Sequence, residues 1–399
     1  MSHNESNGPR PTSPHSESDH PGASRPGTVP GESSAERIVL PSGAVLVDEA
    51  SEDQHRGISR RTFVTGVAAA ALGGLALGGG VGALIGRSGQ RGSAPAAAEV
   101  RNRPLSIIYG GDVCDAPSIV AKEKGFFKEA GLDVTLHRTV GDEDIKAAVG
   151  SGQFDASSGI FYSWLKPVEE GQNVKFVAGL HAGCLRLVVP KGFKGTVADL
   201  KGGTIGIPSL SSSATMFFSM DLLDAGINPL PEARQVHWKV LDPSTLADAL
   251  RRGQVDAIAT SDPIAYRPIL GDYGMELASN MSGMNKQAYC CCTALNGDLV
   301  RKEEPLARKL IEAWCRGSRY VAGHEAEVAH IEVDKKYVAG DVGTIQKLLS
   351  GYVWEPSVAK LKAALLPGIG KFQKTGYLDA GANPQKLADK AFATLGIGW

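Results

Sequence analysis

The sequence predicts an α/β protein of two lobes, each a mixed sheet flanked by helices. Three observations carry this expectation. From Arg103 onward, short β-branched or apolar runs alternate with helical patterns, as in sheets covered by helices. A phrase of helix end, Gly-Gln turn, short strand and polar tip occurs twice, about 100 residues apart. Its first copy is Ser151-Gly152-Gln153-Phe154-Asp155-Ala156, leading to Ser157 and Ser158, and its second is Arg252-Gly253-Gln254-Val255-Asp256-Ala257, leading to Ser261 and Asp262. From Pro305 the pattern is helical throughout. The copies are read as equivalent positions of two lobes, the first spanning 103–190 plus 289–399 and the second 191–288.

The chain of 399 residues is long enough for such a core, and its formal net charge of −1 gives no basic excess for nucleic acid. Residues 1–58 read as a disordered leader: Met1 to Glu36 is rich in Ser, Pro, Gly and His, and Lys122 is the first lysine of the chain. Residues 59–98 combine Ser59-Arg60-Arg61-Thr62-Phe63, a Gly/Ala/Leu run to Gly86, Arg87 and Arg91, and Ala96-Ala97-Ala98. This resembles a twin-arginine export signal cut after Ala98, which would place the mature chain in the periplasm or another extracytoplasmic space. An uncleaved membrane anchor is the alternative reading.

In order, the mature chain reads as a strand over Pro104–Tyr109, a turn at Gly110-Gly111-Asp112, a helix over Ala116–Ala130 capped by Gly131, and a strand over Asp133–Thr139. A short helix (Asp142–Gly150), the strand end Ser157-Ser158-Gly159, and strands Val174–Leu180 and Leu185–Val189 follow, with the crossing between lobes placed after Pro190. In the second lobe, Thr204–Pro208 is a strand, Ser209–Ser213 a serine loop and Ala214 onward a helix. A helix N-terminus after a polar loop offers free N–H groups and a positive dipole end to an anion, while Ser211, Ser212 or Ser213 equally suits a plain N-cap. Gln235–Leu241, Val255–Thr260 and Met275–Ser279 are strands, Pro243–Arg252 is a helix, and Tyr289–Leu295 crosses back. The tail helices are expected over Pro305–His324, Glu325–Tyr337, Thr344–Leu349, Val358–Thr375 and Pro384–Leu395.

Two phrases carry a family resemblance. Asp199-Leu200-Lys201-Gly202-Gly203-Thr204-Ile205-Gly206-Ile207-Pro208, and Ala121-Lys122-Glu123-Lys124-Gly125-Phe126-Phe127-Lys128-Glu129-Ala130-Gly131-Leu132-Asp133-Val134, resemble the periplasmic substrate-binding proteins of the nitrate/sulfonate/taurine type. That superfamily also includes thiamine-pyrimidine-precursor binding proteins. The resemblance implies a type II periplasmic binding protein-like fold and a monomer that closes on a small organic or anionic ligand by hinge motion. It also implies an ABC permease as membrane partner and no enzymatic activity; no cofactor is expected, a metal at the cysteines being the one alternative.

In open α/β sheets the ligand lies beyond the carboxyl ends of the strands. The candidate ligand contacts are accordingly Asp112, Cys114, Ser157, Ser158, His181, Cys184, Ser211, Ser212, Ser213, Ser261 and Asp262; Arg186 and Arg267 are the arginines considered for an anion. Asp262 equally suits the start of a turn at Pro263.

All six cysteines fall in the mature chain, and no CxxC is present. Cys290-Cys291-Cys292 resembles the Cys-Cys-Cys-Phe-Cys motif that the thiamine-pyrimidine synthase branch associates with iron, but Thr293 and Ala294 stand where the Phe and fourth Cys would be. Three readings of the cysteines stay open: buried thiols, a disulfide, or a metal or ligand site with Cys184, His181, Cys290 and Cys292 as donors. In a strand, Cys290 and Cys292 would face one way and Cys291 the other. The alternatives to a solute binder are a metal or metallophore binder and a pyrimidine-synthase-like enzyme. A Ser158–His181–Asp262 triad lacks the Gly-x-Ser-x-Gly elbow such a nucleophile needs.

Overall fold

A computed structural model of the protein describes residues 103–139, 144–283, 285–286 and 289–399. The expected leader and twin-arginine signal lie outside the described residues. In chain order the strands are β1 Leu105–Tyr109, β2 Val134–Arg138, β3 Ala156–Gly159, β4 Val174–His181, β5 Leu185–Pro190, β6 Thr204–Ile207, β7 His237–Val240, β8 Ala257–Ser261, β9 Gly274–Ser279 and β10 Cys291–Asn296. They form two five-stranded sheets, ordered β2-β1-β3-β10-β4 and β7-β6-β8-β5-β9.

The sheets repeat one plan. In each, three parallel strands lead to an antiparallel fourth: β10 beside β3 in the first lobe, β5 beside β8 in the second. The two Gly-Gln phrases sit at matching places, running into β3 and β8. The inner parallel strands β1, β6 and β8 are short apolar runs, as expected where helices cover both faces: Ile107, Ile108, Ile205 and Ile258 are all buried.

One boundary differs from the sequence expectation. Leu185–Pro190, assigned to the first lobe, pairs with β8 and β9 and is therefore a strand of the second sheet. The chain changes lobes at 182–184, immediately after β4, and returns between β9 and β10. The helix expected as one piece over Ala116–Ala130 is two, Ala116–Glu123 and Phe126–Glu129, because Gly125 takes a left-handed backbone between them.

The C-terminal helices pack on the first lobe. Glu304–Val321 lies against Ala116–Glu123, and Gly317 makes that approach close: a Cβ there would fall 2.1 Å from the Pro117 carbonyl oxygen. Trp314, on the same helix, is fully buried. The helix Val358–Gln373 reaches the second lobe, where Lys371 Nζ pairs with Asp224 at 2.8 Å. Among the described residues no helix is long and apolar enough to cross a membrane.

Candidate functional site

The carboxyl ends of the two sheets face one another across a cavity of about 570 Å³. The first lobe contributes the Gly110–Asp115 turn after β1 and Ser158-Gly159 at the end of β3. The second contributes Ser212 to Ala214, Asp242 to Ser244 and Thr260-Ser261 at the end of β8. Cys184, Cys290 and Cys291 form the hinge side of the cavity.

Of the ligand contacts expected from sequence, Asp112, Cys114, Ser158, Cys184, Ser212, Ser213 and Ser261 line the cavity. Ser157 does not: it is buried and its Oγ donates to the Ile108 carbonyl at 2.7 Å, tying β3 to β1. Ser211 is exposed on the loop and outside the cavity lining. Ser212 is both cap and lining, since its Oγ accepts from the Thr215 amide at 3.2 Å at the head of the helix Ser213–Asp224. Asp262 is sealed off, receiving Arg186 Nε at 2.9 and 3.1 Å and the Tyr352 hydroxyl at 2.8 Å. Arg186 is thereby committed to Asp262 and Glu276, whereas Arg267 lines the cavity.

The lobes touch near the floor of the cleft. Ser261 Oγ donates to Asp112 Oδ1 at 2.8 Å, joining the end of β8 to the end of β1. Asp115 accepts from the Gly111 and Asp112 amides at 2.9 and 3.0 Å. Burial raises Asp112 to about 6, opposed by the Ser261 hydrogen bond, and raises Asp115 to about 7, helped by the charge of Asp112.

Behind these residues the thiols converge. Cys114, Cys184, Cys290 and Cys291 are all buried around His181, which is 0% exposed. Donor atoms of Cys114, His181 and Cys291 lie within 4.8 Å of one another, as do those of His181, Cys184 and Cys290. Cys184 Sγ and Cys290 Sγ are 2.7 Å apart. Burial and the neighbouring thiols Cys114 and Cys290 push Cys184 up; burial opposes ionisation of Cys290, yet contacts from Cys184 and Cys291 hold it below the ordinary thiol value. Among the described residues both ring nitrogens of His181 are buried with no hydrogen-bond partner, so no Ser158–His181–Asp262 relay is assembled.

Cys292 departs from the sequence expectation. Its Sγ lies 3.3 Å from the Gly159 carbonyl, and Cys291 takes its place beside Cys290. Strict alternation fails for a local reason. Cys290 precedes the strand, and the pairing of β10 with β4 slips between Cys291 (opposite His181) and Cys292 (opposite Gly179).

Sequence reading missed Asp115, Arg138 and Tyr352. Arg138 lines the cavity from the end of β2, its guanidinium lying over Gly111. Asp115 sits one residue beyond Cys114 in the turn already singled out. Tyr352 stacks on His181 with ring centroids 5.8 Å apart and comes from a loop distant in sequence, which no local pattern announces.

A model of the NMT1-like family matches residues 99–333, over half of the chain, and the protein belongs to that family. No curated protein matches it in sequence. Solved structures share the fold. The alkanesulfonate-binding protein SsuA from Xanthomonas axonopodis pv. citri, bound to MOPS, is 18% identical with a TM-score of 0.60, covering 73% of this chain and 98% of its own. The periplasmic nitrate-binding protein NrtA from Synechocystis PCC 6803 is 14% identical with a TM-score of 0.62, covering 73% and 86%. A ligand-binding component of an ABC-type import system from Staphylococcus aureus, with zinc bound, is 15% identical with a TM-score of 0.59, covering 73% and 97%.

Proposed function

We propose that this member of the NMT1-like family is the extracytoplasmic solute-binding component of an ABC importer, a monomer whose lobes close on one small ligand for delivery to a membrane permease. The observation that carries the reading is the cleft itself. Hydroxyls and carboxylates at the strand ends of both lobes face one cavity of about 570 Å³, within the range of small-molecule sites. Among the described residues, Ser158, His181 and Asp262 do not form a relay, since Asp262 is taken by Arg186 and Tyr352. The fold neighbours include binders of an alkanesulfonate and of nitrate.

The ligand class we favour is a small organic molecule with an anionic end. The N-terminus of the helix Ser213–Asp224 opens into the cleft through Ser212 and Ser213, and the guanidinium groups of Arg138 and Arg267 also border it. Free N–H groups, a helix dipole and two guanidiniums together favour a sulfonate, nitrate or carboxylate over a neutral ligand. Native mass spectrometry of protein purified without added ligand, followed by calorimetry with the recovered mass and with sulfonate, nitrate and pyrimidine panels, tests the reading. Binding of one ligand per chain without chemical change is expected. Conversion of the bound molecule into a product would overturn it.

A further inference from the structure

We propose that Cys114, His181, Cys184, Cys290 and Cys291 form a binding site for one thiophilic divalent metal ion of the Zn²⁺ class at the hinge-side floor of the cleft. Three independent observations carry this.

The first is chemical. The two triads share His181, and within each the donor atoms lie within 4.8 Å of one another. A borderline-soft ion takes four such donors in tetrahedral coordination at about 2.0–2.3 Å, here His181 and three of the four thiolates, with the fourth thiol beside it. The second is the state of His181. Among the described residues both ring nitrogens are buried without a hydrogen-bond partner, a condition rare among native polar groups and relieved when one nitrogen ligates a metal. A disulfide between Cys184 and Cys290 would leave that histidine as it is. The third is backbone geometry. Cys184 sits at φ 96°, in the region that disfavours a side chain, directly after Gly183 at φ 108°. Strain held at a non-glycine residue marks places where the surroundings demand one orientation, and here it aims Sγ at Cys290.

The position gives the site a role. Cys184 lies where the chain first leaves the first lobe, Cys290 and Cys291 where it returns, and Cys114 follows β1. An ion at these donors staples the two hinge segments to the first lobe, while the four cysteines still border the cavity. Binding replaces each ligating S–H proton by the metal, the protons passing to solvent, with no change of oxidation state. The assignment of donors does not depend on the importer reading; an organic ligand recovered from a chain that binds no metal would refute the metal site alone.

The test uses the full chain, reduced and freed of metal by chelation, titrated with Co²⁺ as a spectroscopic probe and then with Zn²⁺. We expect one Co²⁺ per chain with tetrahedral d–d bands and thiolate charge-transfer absorption, displaced by Zn²⁺. The double variant Cys184→Ser/Cys291→Ser removes one thiol from each triad and leaves at most three donors, so it should weaken Zn²⁺ binding at least about 100-fold, and Cys315→Ser should leave it unchanged. Pulsed alkylation with peptide mapping reads the same assignment on the unaltered chain: Zn²⁺ should protect Cys114, Cys184, Cys290 and Cys291 beyond any effect on Cys292 or Cys315. An octahedral Co²⁺ spectrum without thiolate bands would overturn the proposal. So would equal protection of all six cysteines, or a chain that has lost two thiols to a Cys184–Cys290 disulfide and, once reduced, takes up no ion.

Discussion

Replacing Arg186 by Met should destabilise the protein by about 3–5 kcal/mol, the cost of leaving a buried charge without its partner. The reasoning starts from Asp262, which has 0% exposure at the end of β8. Its carboxylate keeps three contacts: two from Arg186 Nε at 2.9 and 3.1 Å, and one from the Tyr352 hydroxyl at 2.8 Å. Arg186, on the neighbouring β5, also pairs with Glu276 and lies over the Tyr266 ring at 5.3 Å. Methionine keeps most of the buried stem, so the loss is chiefly that of the cation. Tyr352→Phe removes one neutral donor to a charged acceptor and should cost about 1.5–3 kcal/mol. Asp262→Asn removes the charge that both partners serve. The double variant Arg186→Met/Asp262→Asn should therefore cost clearly less than the two single losses added together, with a coupling of about 1–3 kcal/mol. Urea denaturation of the wild-type protein and the four variants, at one pH and ionic strength, measures this. A loss under about 1 kcal/mol for Arg186→Met, or losses that add to within about 0.5 kcal/mol, would refute the claim that the buried carboxylate depends on this arginine.

The helix cap gives a contrast within one loop: Ser212→Ala should cost about 1 kcal/mol in urea denaturation, while exposed Ser211→Ala should be near neutral. Ser261→Ala removes the hydrogen bond that joins β8 to Asp112, and calorimetry with the recovered ligand should show affinity weakened roughly 2- to 12-fold, from about 0.5–1.5 kcal/mol. Asp221 supplies a pH dependence. Burial raises it to about 6, with Asn285 donating to it and Asp224 adding repulsion. A carboxyl raised above its unfolded value near 4 favours the native state in its protonated form, so this contribution is complete below about pH 4 and is lost as pH rises through about 6. Two units set a ceiling of about 3 kcal/mol, lowered to about 1–2 by partial exposure, and Asp221→Asn should flatten that part of the stability–pH curve.

Much of the architecture was legible because it is written in local periodicity. The alternation after Arg103, the paired Gly-Gln phrases and the apolar faces of the tail helices each depend on residues close in sequence, and each appears in the structure near its expected place. Lobe membership of Leu185–Pro190 was not legible, since an apolar run says that a strand will form but not which sheet has the open edge to receive it. The cleft-lining hydroxyls were largely legible from the rule that strand ends carry ligands. Ser157, Ser211 and Asp262 were exceptions: Ser211 turns to solvent, and the other two are claimed by neighbours such as Ile108, Arg186 and Tyr352.

The sequence by itself determined the two-lobed plan, the strand-end positions that face the cleft, and the presence of six cysteines and His181. Only the tertiary structure decided which of them meet. The pairing slip between β10 and β4, the left-handed turn at Gly183-Cys184 and the return of the chain from the second lobe bring four thiols to His181 and send Cys292 elsewhere. Those are long-range register and crossing events, fixed by how two sheets share a hinge, and no window of sequence contains both of the strands involved.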